Sequence, residues 1–378
     1  MTTHVFIVDA TTFKYHLEYQ FVGTGMKEIV VDFNNNPNTT HKAQTENTIL
    51  GMIADFSRVQ IGDLAIFYLQ QNFKQGVYEG KFYGVFKIKS LAFLDDNDTQ
   101  QFLKDNLQKS LTFRCLIEPY NVYAKGVTEW EALDEIKNIH SPNQMLWSLI
   151  YRKLKGNRGN TMITIYESER LIKLIRDKNL RNILKSENFS FNLNTQEIIT
   201  SNCKQEYTGR KNPINILSRM IQKYYKNNQF EAHLQAYILQ NFYQTKLFGI
   251  LNNENIEWLG NEVSCGVGMQ RIDIMVSISE QGANPRKIIP IELKSTCVHS
   301  GILTQIQRYV DWLEQYYIPN HCSDIAPMII CRQTNKDSKE YKDFLFRCAD
   351  FNRHNNILEI SYIEFSIQND EIVFERIF

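Results

Sequence analysis

The run K-I-I-P-I-E-L-K-S, residues 287–295, constrains this chain more than any other stretch. Ile288, Ile289, Ile291 and Leu293 have the continuous apolar character of a buried strand, yet Glu292 and Lys294 interrupt them. Alternate residues of a strand share a face, so Ile289, Ile291 and Leu293 lie on one side and Glu292 with Lys294 on the other. Burying an unpaired charge costs several kcal/mol or more, so something must compensate both. The residues beyond position 295 narrow the fold further: a helical pattern I-L-T-Q-I-Q-R-Y-V-D-W-L-E-Q-Y-Y, the strand A-P-M-I-I-C-R-Q, and a helix around 337–349. Strands alternating with helices imply an α/β sandwich with a mixed sheet.

The preceding strand, R-I-D-I-M-V-S-I from 271 to 278, sets Ile272, Ile274 and Val276 on one face and Asp273 with Met275 on the other. If the two strands pair around the loop at 279–286, Asp273 and Glu292 converge. Two such carboxylates raise each other's pKa unless a divalent cation lies between them, and hard cations such as Mg²⁺ or Mn²⁺ prefer oxygen ligands. Lys294 partly offsets the pair and can offer its ammonium to a water or a phosphate oxygen. The helical pattern at 229–242 places Glu231 on the stripe of Leu234 and Ile238, a third inward acid. Gln305 and Tyr309, four apart, share a helix face with Trp312. Glu-x-Lys alone is uninformative, since it recurs at 79–81, 135–137 and 340–342; only the copy at 292–294 lies in an apolar strand.

At 378 residues the chain suits two domains. The first 90 residues alternate short apolar runs with turn signals, as strands of a small barrel or mixed sheet do. Residues 170–186 read as a basic helix, and the Asn/Ser/Thr-rich stretch 187–213 as a linker, so a fragment beginning near Asn212 is expected to fold alone. No apolar run approaches the roughly 20 residues of a membrane helix, and the start M-T-T-H-V-F-I-V-D-A lacks a secretory pattern, so a cytoplasmic location is expected. Seven cysteines without a C-x-x-C pair argue against a disulfide framework or a structural zinc, and are expected reduced and mostly buried. Net charge is zero, but Tyr151 to Phe230 carries +10, from 16 Lys or Arg against 6 Asp or Glu. Such segregation marks a nucleic-acid face or a solvated surface.

Four stretches in order, F-E-A-H-L-Q-A-Y-I, M-Q-R-I-D-I-M-V-S-I, I-P-I-E-L-K-S and Q-I-Q-R-Y-V-D-W-L, resemble the PD-(D/E)XK nuclease superfamily, in particular its RecB-like branch and the C-terminal domain of NucS-type endonucleases. The resemblance spans 216–378 and implies an α/β/α restriction-endonuclease-like fold with a mixed sheet. It implies Asp273 and Glu292 as metal ligands with Glu231 assisting, Lys294 positioning the hydrolytic water, and Gln305 with Tyr309 in support. Pro290 departs from the pattern and predicts a bulge or an edge, and His233 has no part in it. More loosely, H-L-E-Y-Q-F-V-G-T-G, I-G-D-L-A-I-F-Y-L-Q, K-F-Y-G-V-F-K-I-K-S and L-W-S-L-I-Y-R-K-L-K-G-N-R-G-N-T-M-I-T-I-Y-E-S-E resemble the PUA-like superfamily, notably EVE-type readers of modified bases, over 1–176. That implies a small β-barrel domain with helices, separated from the nuclease-like domain by the basic helix and linker at 177–215. A base reader needs stacking aromatics and phosphate contacts; Trp130, Trp147, Tyr19 and Tyr68 are available for the first, Arg152, Lys153, Lys155, Arg158 and Arg271 for the second.

The expected activity is metal-dependent DNA endonuclease action at a site chosen by the N-terminal domain, as in modification-dependent restriction. The alternatives are a non-catalytic nucleic-acid-binding protein on a nuclease scaffold and an RNA-cleaving nuclease. DNA is the expected partner, no membrane is, and a homodimer stays open.

Overall fold

The computed structural model describes residues 2–25, 43–138, 159–203, 205–242, 256–265, 270–278, 287–316 and 324–378. The chain forms two compact units, one from Met1–Asp32 with Asp55–Ile214, the other from Phe33–Ala54 with Asn215–Phe378.

The first unit holds β1 (Thr3–Val8), α1 (Ala10–Glu18), β2 (Phe21–Thr24), the end of α2 (Ala43–Ser57), β3 (Leu64–Leu69), β4 (Lys81–Ile88), β5 (Phe93–Leu94), α3 (Lys104–Leu107), β6 (Phe113–Pro119), β7 (Val127–Thr128), α4 (Glu129–Asp134), β8 (Asn160–Ile163), α5 (Ile165–Lys178), β9 (Phe189–Asn192) and β10 (Glu197–Thr200). The order β2-β6-β4-β3-β1-β8, with β5 on β6 and β7 on β4, makes a curled half-barrel. Only β1 and β3 run parallel among these pairs.

The stretch 187–213 is no linker. It forms the β9–β10 hairpin, whose Phe189 and Phe191 join the buried aromatics Phe13, Tyr83 and Phe86. Further on, Arg210 pairs with Asp95 and Asp98, and Asn212 bridges to Leu94. Polar side chains of the stretch serve the hairpin and α1: Ser190 donates to Glu18 at 2.7 Å, and Asn192 Oδ1 accepts from the Asn194 and Thr195 amides at 3.0 and 3.3 Å. The basic helix also lies earlier than expected. Thr164 and Glu167 form a capping box at its start, and it stops at Asn179, whose side chain turns to the main chain of Lys125 (2.8 and 2.9 Å) and Ile175 (2.8 Å).

The second unit contains the first part of α2, then α6 (Leu217–Tyr225), α7 (Glu231–Asn241), β11 (Ile256–Ser264), β12 (Arg271–Ile278), β13 (Lys287–Lys294), α8 (Gly301–Tyr316), β14 (Met328–Arg332), α9 (Lys339–His354), β15 (Ser361–Gln368) and β16 (Glu371–Arg376). Its sheet runs β11 to β16 in sequence order. The outer pairs are antiparallel, while β13, β14 and β15 are parallel, with α8 and α9 as crossovers. A central parallel strand is covered on both faces, which is why Ile288, Ile289, Ile291 and Leu293 are all buried.

Pro290 makes neither a bulge nor an edge. The β12–β13 register continues unbroken through Met275↔Pro290. The Ile288 carbonyl accepts from Ala326 N on the β14 side, so the even-numbered donors of β13 face β14. There the shared offset of Ile288↔Ile325 and Ile291↔Met328 sets Pro290 against Pro327. The missing amide hydrogen of Pro290 therefore falls on the β14 side, where pairing lapses between Ile288↔Ile325 and Ile291↔Met328, and the β12–β13 ladder, which uses the odd-numbered donors, loses nothing.

Candidate active site

The β12–β13 ladder ends at Ile274↔Ile291, and its next step sets Asp273 opposite Glu292. Directly opposed residues of an antiparallel pair project from the same face. Two ladder positions are taken over by side chains here. The Leu293 amide donates to Asp273 Oδ2 at 2.8 Å, and the Asp273 carbonyl accepts from Gln235 Nε2 at 2.8 Å.

Glu292 is fully buried. One carboxylate oxygen is ion-paired with the Lys294 ammonium, and the other lies 2.7 Å from the Tyr309 hydroxyl. Tyr309 is itself 2.8 Å from the Arg271 carbonyl and accepts from Gln305 Nε2 at 2.6 Å. The i, i+4 spacing of Gln305 and Tyr309 on α8 thus becomes a relay ending at Glu292. Glu231 Oε2 stands 4.0 Å from Lys294 Nζ. It begins α7 with its side chain 44% exposed, so it rims the site rather than pointing into the core as the helical stripe predicts. At the first helical position no preceding turn packs it inward.

The electrostatics follow from this crowding. Burial, and then the Glu292 carboxylate, push Asp273 well above the ordinary carboxylate range, against the Leu293 amide and Lys294. Burial also raises Glu292, opposed by Lys294 and the Tyr309 hydroxyl. Lys294 keeps its proton: burial disfavours the charge, but Glu292, Glu231 and Asp273 together raise it. Burial and Glu292 push the nearby Cys265 thiol up to about 11.

A cavity of about 300 Å³ opens beside Asp273, lined also by Glu231, Glu262, Gln235, His233 and Asn47. Four of these, Glu262, Gln235, His233 and Asn47, were not legible as site residues. Glu262, on β11, accepts from Gln235 (3.2 Å) and Arg271 (3.1 Å) and has a left-handed φ of 51°. His233 is no bland helix residue. Its Nε2 lies 2.7 Å from Glu46 Oε1, and Arg219 also clasps Glu46, at 2.9 and 3.2 Å. Asn47 and Glu46 come from α2, nearly two hundred residues upstream, and no local signal could connect them.

Among the described residues no three of His, Cys, Asp and Glu are grouped to hold a metal ion. An ion here would rest on Asp273 and Glu292 and complete its shell with water or phosphate oxygens, as Mg²⁺ does.

Among the described residues Tyr68, Tyr19 and Trp130 do not come together as one pocket. Tyr68 is buried in one core cluster with its hydroxyl on Glu129 (2.6 Å), Tyr19 packs on another, and Trp130 is 62% exposed on α4. Aromatics that alternate along a strand are claimed by the core first. Trp147, Arg152, Lys153, Lys155 and Arg158 lie outside the described residues. Arg271 is exposed and paired with Glu262. Within the +10 segment, Lys178, Arg210, Arg219 and Lys223 are engaged by Glu131, Asp95 and Asp98, and Glu46, which lessens the charge free for phosphates.

No family model matches the chain, and no curated protein matches it. Among solved structures it is similar to a hypothetical protein from Leishmania major, at 11% identity and a TM-score of 0.29, over 47% of this chain and 96% of that one. It is also similar to human THYN1 in complex with 5-methylcytosine-containing DNA, at 14% identity and a TM-score of 0.27, over 46% of this chain and 97% of that one. Among the described residues no helix is long and apolar enough to cross a membrane.

Proposed function

We propose that the second unit is a metal-dependent phosphodiester hydrolase, acting as a DNA endonuclease, and that the first unit is a PUA-like, EVE-type domain that selects the site. One observation carries the reading: the partly buried Asp273 and the fully buried Glu292 stand opposite each other at the end of a ladder, with Lys294 and Tyr309 on Glu292 and a cavity beside Asp273. A carboxyl raised by burial and by a neighbouring acid, as Asp273 is by Glu292, is a common feature of active sites.

The donor set fits a hard cation. Both acids are held above their usual pKa by burial, a condition that a divalent ion relieves, and Asp273 and Glu292 would hold it. When bound, Mg²⁺ or Mn²⁺ supplies a water of lowered pKa and charge stabilisation at the phosphate. The protein's own groups then have separate tasks. Lys294, protonated, donates to the attacking water or a phosphoryl oxygen, while its contact with Glu292 fixes its position. Tyr309 orients the Glu292 carboxylate, and Gln305 orients Tyr309. Glu231, half-exposed 4.0 Å from Lys294, faces the open side of the site.

The test is incubation of the intact chain with plasmid DNAs of differing base modification, and with matched RNA duplexes, in Mg²⁺ or Mn²⁺. Cleavage of DNA that vanishes in Asp273→Asn and Glu292→Gln supports the reading. Binding without cleavage under all these conditions favours the non-catalytic alternative, and preferential RNA cleavage the other.

A further inference from the structure

Asp273 sits just past the last pair of the β12–β13 ladder and in a one-residue gap of the β11–β12 ladder. Towards β13 the last paired residues are Ile274↔Ile291, and the following Leu293 amide is taken by the Asp273 carboxylate. Towards β11, Asn261↔Ile274 and Val263↔Ile272 flank an unpaired step in which Glu262 adopts φ 51°. A residue unpaired on both sides in this way needs another restraint if its carboxylate is to hold a fixed position. Tyr309 stands 2.8 Å from the neighbouring Arg271 carbonyl, but its one hydrogen is shared between that carbonyl and Glu292. The restraint on Asp273 itself is Gln235, 6% exposed on α7, whose single amide nitrogen reaches the Asp273 carbonyl at 2.8 Å and Glu262 Oε1 at 3.2 Å.

We infer that Gln235 is a positioning residue of the acidic site: it pins the main chain of Asp273 and holds Glu262 in a fixed relation to it. The inference rests on Asp273 being a metal ligand, as proposed above. Gln235 touches no reacting atom in this arrangement. It acts on the ligand's backbone, as the partners of metal ligands do when their loss costs about 10- to 100-fold in affinity.

The experiment measures Mn²⁺ binding to the intact chain by calorimetry, beside thermal melting in metal-free buffer. Wild type and Asp273→Asn come first: binding that Asp273→Asn abolishes upholds the metal reading, and binding that it leaves unchanged refutes that reading and this inference with it. Given the first result, Gln235→Ala should weaken Mn²⁺ about 10- to 100-fold and raise the metal concentration for half-maximal cleavage by the same factor. Gln235→Glu, which keeps the shape but sets a carboxylate against Glu262 and the Asp273 carbonyl, should weaken it at least as much. It serves as the second variant should the alanine chain fail to fold. Mn²⁺ affinity unchanged in the folded variants, with only the melting temperature lowered, overturns the inference and leaves Gln235 a packing residue.

Discussion

Replacing Glu46 by alanine should selectively unfold the second unit, although Glu46 lies in the first eighth of the sequence. Its carboxylate is 3% exposed and receives Arg219 through two nitrogens at 2.9 and 3.2 Å, with Lys223 at 3.7 Å and His233 Nε2 at 2.7 Å. Burial works against its charge, but His233 and Arg219 more than offset that and hold its pKa far below the usual carboxylate value. An ionised carboxylate only accepts, so His233 must carry its proton on Nε2, and burial keeps that imidazole neutral by lowering its pKa. Removing one partner of a buried ion pair costs about 3–5 kcal/mol, because the other charge is left unpaired. For a unit of this size that is a fall of roughly 6–20 °C in melting temperature, at about 2–4 °C per kcal/mol. Scanning calorimetry of the intact chain should show the transition of the second unit move and that of the first stay. Glu46→Gln, which keeps the acceptor without the charge, should fall between wild type and Glu46→Ala. A second-unit transition unmoved in Glu46→Ala would falsify the claim that α2 is a working part of this unit. By the same argument a fragment beginning near Asn212 should be unstable alone and gain stability from a peptide of residues 43–57, against the expectation from the shift in sequence grammar.

Three other outcomes are expected from the same structure. Asp273 and Glu292 have folded pKa values raised above the ordinary range. Their contribution to stability is therefore complete below about pH 4 and is lost as pH rises through the folded values, so in metal-free buffer the wild type should lose stability between mild acid and neutrality more steeply than Asp273→Asn/Glu292→Gln; equal slopes refute this. His16, buried with Nδ1 2.9 Å from the Phe21 carbonyl, has its pKa lowered to about 3 by burial. It contributes stability above its unfolded pKa near 6.5 that is lost as pH falls, so the first unit should weaken below that point, and Asn or Gln at position 16 should flatten the acid limb of its melting curve. Among the six described cysteines, a thiol reagent under native conditions should label Cys203 and Cys297 quickly and spare the buried Cys115, Cys265, Cys331 and Cys348; rapid labelling of Cys265 contradicts its closed setting.

The parts of the site legible in sequence were those set by local periodicity. A strand's alternation puts Glu292 and Lys294 on one face and Asp273 on the facing strand, and the helical period joins Gln305 to Tyr309; Glu292, Lys294, Gln305 and Tyr309 meet as expected. What sequence could not supply was any contact made across long separations. Glu46 reaches His233 over 187 positions, and nothing in Q-T-E-N-T-I-L announces it. Gln235 and Glu262 have no local cue either, since an amide on a helix and an acid on a strand are ordinary surface residues until the sheet is folded. The effect of Pro290 likewise depends on which neighbouring strand its missing donor would face, and chain order alone does not give that. In the first unit, aromatic content was read as binding capacity, while Phe13, Tyr83 and Phe191 show how much of it the core requires.

The site is also placed where the fold can tolerate it. A carboxylate pair in the middle of the β12–β13 ladder would have to displace packed Ile and Val residues, and every ladder bond around it would remain fixed. At the ladder's end the same pair can recruit the Leu293 amide, the Gln235 amide and the Tyr309 hydroxyl in place of main-chain partners. The exchange gives the Leu293 amide and the Asp273 carbonyl side-chain partners while leaving Asp273 and Glu292 short of positive charge, since Lys294 is ion-paired with Glu292 alone of the two. A fold optimised for stability would neutralise that deficit with a second lysine or remove one acid. Retaining it costs stability in metal-free conditions, and under the proposed metal reading the pH slope of the metal-free protein and its response to Mn²⁺ would be two measures of one charge imbalance.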